Sequence, residues 1–590
     1  MVGVAPRIGL AVGCLVLWTA EGLAQSSAFN DLARWLEGSS QEAGWHSYLE
    51  TNTLVPQLLL EAHADPHKVA RALKRYRGKD PGLKMRRFRS MEAALARWHA
   101  RLQQAQAPLE KLLDQALSAQ VPPEQASQYR QRLRELRSLV ARPPEKLTPA
   151  QYRRILETIQ WLEQHQQAPT LQLALRRRYL APGAWVEIGI PLLQAMMTDP
   201  ELEEVEVRET ILGTPVRGRG LFSARLKLHL TPRLGQARLV ALAQGQLRAE
   251  TTSYRGRIRV FSRSVTRFQA REPILVSARG LSALPSEVQT QVRTHPYGIS
   301  TGHNCRLVQR IVWTQVYRRL PEAEAESAFK AKRRIARRID LRTGQRLEEI
   351  NQRLTRDLLE PLEKQYRAMP RIQVASSTRR VFFVARQQRF DLHPPRTPPP
   401  ATPAGEADMV VKVNEDFLNN TFQWLYGGRR ITQEEFRKRW GDLLPPAQEE
   451  EERSRNWEIL FQPQKPITVK FDKDQFEIVI RGRRFRIEEP ANVVVRYRIV
   501  RDAQGMRAVR IGPIQVQFPT RKPGQTLSGR QVSLRRQIQT RLEKTFAPVI
   551  LHQPLEVKNQ QEEKVGQLKL VQLTSRKGWL LLGWKFEPEN

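Results

Sequence analysis

Val374-Ala375-Ser376-Ser377-Thr378-Arg379-Arg380-Val381-Phe382-Phe383-Val384 returns in outline as Val571-Gln572-Leu573-Thr574-Ser575-Arg576-Lys577-Gly578-Trp579-Leu580-Leu581. Each copy reads as a strand, a polar turn of Ser/Thr and basic residues, and a second apolar strand. Each also follows a long amphipathic helix, and that helix follows a set of alternating strands. An element order repeated in this way implies two related folded units.

Upstream of the first copy, Leu347, Ile350, Leu354, Leu358, Leu362 and Tyr366 recur at helical spacing inside a helix expected over 306–369. Before it, Leu226, Leu228 and Leu230 alternate with Lys227 and His229, as in a half-buried strand. Residues 237–243, 246–252, 257–265 and 273–278 continue as strands separated by glycines, and Val186 to Met197 reads as a strand running into a short helix. The stretch 394–407 is dominated by proline, which favours an extended chain and cannot pair into a sheet, so the boundary between the units falls there.

The second unit repeats the plan. Met409 to Val413 is a strand, and Phe417, Thr421, Trp424 and Leu425 carry a short helix ending at Gly427-Gly428. Strands follow at 467–471, 476–480, 484–487, 493–500 and 506–518. Leu534, Ile538, Leu542 and Phe546 form one face of the closing helix. In the last strand Leu580, Leu581 and Leu582 are consecutive, which requires cover on both faces or an apolar cavity on one.

Ahead of both units, residues 25–180 read as helical. Met91, Leu95, Trp98, Leu102, Ala105, Leu109, Leu112 and Ala116 make a heptad seam that Ser90 is placed to cap and Pro108 to interrupt. Thr148-Pro149 starts a further helix with Tyr152, Ile155, Ile159 and Leu162 on its inner side. An antiparallel bundle is expected, with a coiled-coil arm as the alternative. The chain is thus α+β: a signal-like segment at 1–24, a helical domain at 25–180, and two modules of antiparallel sheet on a long helix at 181–393 and 408–590.

The segment 1–24 has a basic residue at Arg7, an apolar run from Ile8 to Ala20, and small residues before Gln25. The run is shorter than the roughly 20 residues a spanning helix needs, so cleavage on export is expected, with a retained anchor as the alternative. An exported protein is expected in the periplasm, outside the cell or at its envelope. Of the two cysteines, Cys14 lies in this segment, so Cys305 has no partner for a disulfide within the mature chain.

Charge is the second strong signal: 97 Lys+Arg against 60 Asp+Glu, a net +37. Such a balance suits anionic partners, or reflects composition alone. Arg255, Arg257, Arg259, Arg263 and Arg267 fall mostly on one parity, and Arg481, Arg483, Arg484 and Arg486 crowd another strand pair. A basic sheet face suits anionic lipid or polysaccharide, or is an ordinary solvated face. Nucleic acid is disfavoured by export and by the scarcity of interleaved aromatics, only Phe261, Phe268 and Phe476 being near.

No Gly-rich phosphate loop, nucleophile elbow or His-Glu-x-x-His pair is present. His63 and His67 have ligand spacing with Pro66 between them, and His303 lies near Cys305, but neither pair has a third group. No catalytic residue, metal site or cofactor is assigned, and a non-enzymatic role is expected.

The duplicated order of strands, striped helix and closing hairpin over 181–590 resembles tandem tubular lipid-binding (TULIP-type) domains. The stretch Glu209 to Gly220, with Thr266-Arg267-Phe268 after it, also resembles exported bacterial proteins of uncharacterised role. The first resemblance implies a sheet wrapped on a helix around an apolar tunnel. The resemblance itself names no ligand-contacting residue; from the apolar strands and helix faces, Leu354, Leu358, Phe382, Phe383, Leu534, Ile538, Leu542, Phe546, Leu580, Leu581 and Leu582 are expected to line an apolar site. Arg257, Arg259, Arg263, Arg481, Arg483 and Arg484 would then meet anionic head groups or an anionic envelope surface. A structural scaffold holding acidic polymers or partner proteins is the alternative, with peripheral membrane contact open in both.

Overall fold

The structure is a computed structural model. It describes residues 20–589 except 40, 198–202, 302–305, 357–359, 361–369, 388–390, 404–406, 433, 436–457, 486–488, 503–504, 520–524, 552 and 560–562. The fold is α+β. Most of the signal-like segment, Cys305, His303, Arg486 and Leu358 lie outside the described residues.

The helical region packs as a bundle with two adjoining cores. Helices from Ala20–Leu36 to Arg86–Gln104 form the first, and helices from Leu109–Leu117 to Pro169–Tyr179 form the second. The heptad seam is consumed inside them: Met91, Leu95, Trp98 and Leu102 are all buried. As the sequence suggests, the helix stops before Pro108 and restarts at Leu109. Thr148 caps the Pro149–Gln164 helix through a reciprocal capping box with Gln151. Ser90 is not a cap. The helix begins at Arg86, one turn earlier, because Phe88 is fully buried against the rings of Trp35 and Trp45 and extends the apolar stripe.

The first core also contains Trp185, Leu234, Ala375, Phe382 and Val384 from a sheet, so the helical region is docked on the modules. Across this junction Arg386 of a sheet strand reaches Glu61, which Arg176 also pairs from within the helical region. Burial would raise the Glu61 carboxyl, but Arg386, Arg176 and Arg371 bring it down to about 2.

The strands are β1 (Ala184–Gly189), β2 (Glu203–Ile211), β3 (Thr214–Thr231), β4 (Arg233–Leu234), β5 (Ala237–Arg255), β6 (Ile258–Ser277), β7 (Gly280–Ala283) and β8 (Glu287–Ser300). Next come β9 (Arg371–Ser376), β10 (Arg380–Arg386), β11 (Met409–Asn414), β12 (Arg430–Thr432), β13 (Glu458–Phe461), β14 (Ile467–Asp472) and β15 (Gln475–Phe485). The last are β16 (Ala491–Asp502), β17 (Gly505–Arg510), β18 (Gln515–Gln517), β19 (Val549–Ile550), β20 (Leu555–Lys558), β21 (Lys564–Arg576) and β22 (Trp579–Pro588).

The two copies of the repeated stretch meet in one central sheet, ordered β20-β21-β22-β11-β1-β10-β9-β4. β1 and β11 pair antiparallel at its middle, and each is flanked by the repeat hairpin of its own module. A fully buried serine near the end of each hairpin's first strand ties it to that module's outer strands. Ser376 donates to the Thr231 carbonyl and Ser575 to the Gln475 carbonyl. Glu187 on β1 sits at the seam, accepting from Lys412 on β11 at 3.0 Å and from Arg380 on β10 at 3.0 Å. Burial works against its charge, and Lys412, Thr402 and Arg380 outweigh it to hold the carboxyl below its ordinary value. The described residues of the proline-rich segment form no strand and lie along this sheet: the Pro395 carbonyl accepts from Ala181 N–H, and Trp579 Nε1–H donates to Thr397.

Each module then has a sheet of its own. The first is β2-β3-β5-β6-β7 with β8 on the free edge of β6, the second is built from β12 to β19, and both are antiparallel. In the first, the four strands expected between 237 and 278 are two long ones, because Gly245 is not a break. A Cβ there would come within 2.3 Å of the Ser223 carbonyl oxygen, so the glycine serves close strand approach. The true turn is at Gly256, where φ is +58°.

Candidate functional site

The long helix Arg306–Leu354 lies across the inner face of the first-module sheet and spans the gap between its two edges. On the β2 edge, Arg338 reaches Glu203, Arg334 pairs with Glu209, Lys330 donates to the Thr210 carbonyl, and Glu326 accepts from Leu212 N–H. On the β8 edge, Glu324 accepts from Thr294 N–H at 2.6 Å, and the Ala328 carbonyl accepts from Thr290 at 2.8 Å. Sheet and helix therefore close around a space.

That space is a cavity of about 300 Å³. Its sheet side comes from alternate residues, which strand geometry sends to one face: Leu247, Ala249, Thr251, Ser253 and Arg255 on β5, then Ile258, Val260, Ser262, Ser264 and Thr266 on β6. The helix contributes Val312, Val316, Arg319, Leu320, Ala323 and Ser327, a stripe at three- and four-residue spacing. Stacked Phe222 and Phe268, with rings 5.3 Å apart, pack with Ile335, Ala336 and Ile339 in a small core, of which Ile335 also lines the cavity.

Electrostatically the cavity is apolar with a basic rim. Its one lining carboxylate, Glu209, is paired with Arg334. Among the described residues, the side chains of Arg255 and Arg319 have no ion pair or hydrogen bond, and both are exposed at the edge of the lining. An apolar trough with unpaired guanidinium groups at its rim accommodates a molecule with a hydrocarbon part and an anionic part. Beyond Arg319 the helix leaves Leu307, Ile311 and Tyr317 more than half exposed.

Among the described residues, none of the apolar positions singled out from sequence lines this cavity. Leu534 and Ile538 are buried in the second module's core, with Leu542 and Phe546 packed against it. Leu580 and Leu582 join that core on one face of β22, while Leu581 packs on Ala407 and Val410 on the other. Of the two explanations for three consecutive leucines, cover on both faces is the observed one. Phe382 belongs to the first helical core, Phe383 packs beside Ile372 and Val374, and Leu354 is buried near the end of the long helix. Ile350, expected in the core stripe, is 39% exposed.

The arginines divide differently from the sequence pattern. Arg259 and Arg263 are exposed on the outer face of the first sheet, and Arg257 occupies the turn. Arg255, counted with them, faces the cavity: the turn falls after it, so it pairs with inward-facing Ile258. Arg481 donates to the Lys465 carbonyl and Thr468, Arg484 is half-buried, and Arg483 is exposed. The overlooked signal was the alternation of small residues, Ala249, Thr251 and Ser253 facing Ser262 and Ser264. Side chains of that size cannot fill the space under a helix.

No group of three His, Cys, Asp or Glu among the described residues could hold a metal ion, and no described helix is long and apolar enough to cross a membrane.

No family model matches the chain. No curated protein is significantly similar to it. Among solved structures, one titled as a lipopolysaccharide binding protein aligns at 13% identity and TM-score 0.25, over 70% of this chain and 100% of its own. Another, titled P47 of Clostridium botulinum E1, aligns at 6% identity and TM-score 0.19, over 69% of this chain and 100% of its own. With scores this low, neither likeness bears on the function argued below.

Proposed function

We propose that the protein is an exported, non-enzymatic binder of a lipid or other anionic amphiphile, held in the first-module cavity. The observation that carries this reading is the pairing of an apolar space, closed by the long helix, with the unpaired Arg255 and Arg319 at its rim. Burying hydrocarbon there contributes about 25 cal/mol per Å² of apolar surface, and a guanidinium adds a charge-assisted contact to a carboxylate or phosphate. Leu307, Ile311 and Tyr317, exposed among Arg306, Arg310 and Arg318, would rest this end of the module on an anionic bilayer, where the ligand enters. The signal-like segment supports an action at the cell envelope.

The test is displacement of a fluorescent fatty-acid probe from the full-length mature chain. Ala323 faces the cavity, so Ala323→Trp fills it and should weaken probe binding at least tenfold while leaving the melting temperature within a few degrees. Unchanged binding in this variant would remove the cavity as the site.

A further inference from the structure

The outward face of the first-module sheet carries a second feature that the cavity does not use. Where β3, β5, β6 and β8 run side by side, register places Arg225 opposite Gln244, Gln244 opposite Gln269, and Gln269 opposite Gln289. A neighbouring row is built the same way from Ser223, Gln246, Arg267 and Gln291. The two rows line an open groove of about 820 Å³. No residue of the long helix contributes to it, because the helix covers the opposite face.

Among the described residues, none of these eight side chains makes a hydrogen bond or ion pair with another, so their polar atoms are available. An amide offers donors and an acceptor side by side, which matches neighbouring hydroxyl groups. A guanidinium fork matches a carboxylate. No acidic residue stands in either row, and the next row adds Arg248 and Arg293. Each row crosses three strand spacings, about 14 Å, long enough for a short run of sugar rings. Nucleic acid would call for stacking rings, and neither row has an aromatic residue. A bilayer would leave the amides without matched partners.

We propose that this groove binds a linear anionic polysaccharide, with Arg225 and Arg267 on its carboxylates and the glutamines on its hydroxyls. The site is independent of the cavity, so either reading can fail alone.

Titration calorimetry of the full-length mature chain with polygalacturonate tests it, with inorganic polyphosphate and neutral dextran as comparison probes. The double variant Arg225→Gln/Arg267→Gln should weaken polygalacturonate binding at least tenfold, and Gln246→Ala/Gln269→Ala about tenfold. Arg217→Gln/Arg219→Gln removes equal charge elsewhere on the same face and should change it less than threefold. Fatty-acid probe binding should be unchanged in all three. The proposal is overturned by absent polygalacturonate binding, by equal losses in the two arginine pairs, or by amide variants that bind like wild type.

Discussion

The two modules share an element order and differ in what fills them. In the second, the closing helix Gly529–Thr545 buries Leu534 and Ile538 among Phe471, Phe476, Val493, Val495 and Tyr497. In the first, only Leu347 and Leu354 are buried among the 49 residues of the long helix. The inner face beneath the helix's first half offers Ala, Ser, Thr and Val where the second module offers Phe and Tyr. Interiors are close-packed only when side-chain volume matches the space. Among the described residues, the same backbone plan thus seats its helix on large side chains in one copy and leaves a cavity beneath it in the other.

The largest effect should come from the sheet the copies share. Lys412→Met leaves Glu187 buried with less cationic compensation and should cost about 3 kcal/mol, read by urea unfolding followed through tryptophan fluorescence. A loss below about 1 kcal/mol would mean that this ion pair does not hold the halves together.

The contrast itself is tested next. Leu534→Ala in the solid module should cost about 2–4 kcal/mol, whereas Val316→Ala on the hollow module's helix should cost less than about 1 kcal/mol. Similar losses at both positions would contradict the difference between the modules.

At the rim, Arg319→Gln and Arg255→Gln should each weaken an anionic fatty-acid probe about tenfold, or about 1.4 kcal/mol, and leave its uncharged methyl ester unaffected. Equal weakening of acid and ester would point to lost packing instead of lost charge.

The smallest effect is a pH dependence of the helix contact. Glu272 on β6 is buried and bonds Thr343 of the long helix at 2.8 Å. Burial pushes its carboxyl up to about 7, with the Thr343 bond offsetting part and Asp340 adding to the rise. The native state therefore keeps a proton that the unfolded chain releases at lower pH. The stabilisation is full below the ordinary carboxylate value and is lost as pH rises through about 7. Hydrogen exchange around Thr343 should accelerate across that range, and Glu272→Gln should flatten the response.

Much of this organisation was legible because it is local. Hairpin repeats, proline breaks, the Thr148 cap and the closing helix stripe each depend on residues close in sequence. The hollow site was not, because cavities are made by what is missing. A run of leucines such as Leu580 to Leu582 attracts notice, yet strong apolar runs pack solidly. The alternation of Thr251, Ser253, Ser262 and Ser264 looks unremarkable until the β5–β6 register sets these residues on one face beneath the helix. Arg255 shares its parity in the sequence with Arg257 and Arg259, and only the turn one residue away sets it on the opposite face. The pairing of β1 with β11 joins residues more than 200 positions apart and has no short-range signature.

Native mass spectrometry of the full-length chain, purified from its native source and washed at high salt, tests the central claim most directly. The account predicts one amphiphile-sized adduct per chain on the wild type and on Leu580→Val, and a bare mass for Ala323→Trp. A bare wild-type mass, or an adduct that persists in Ala323→Trp, would contradict it.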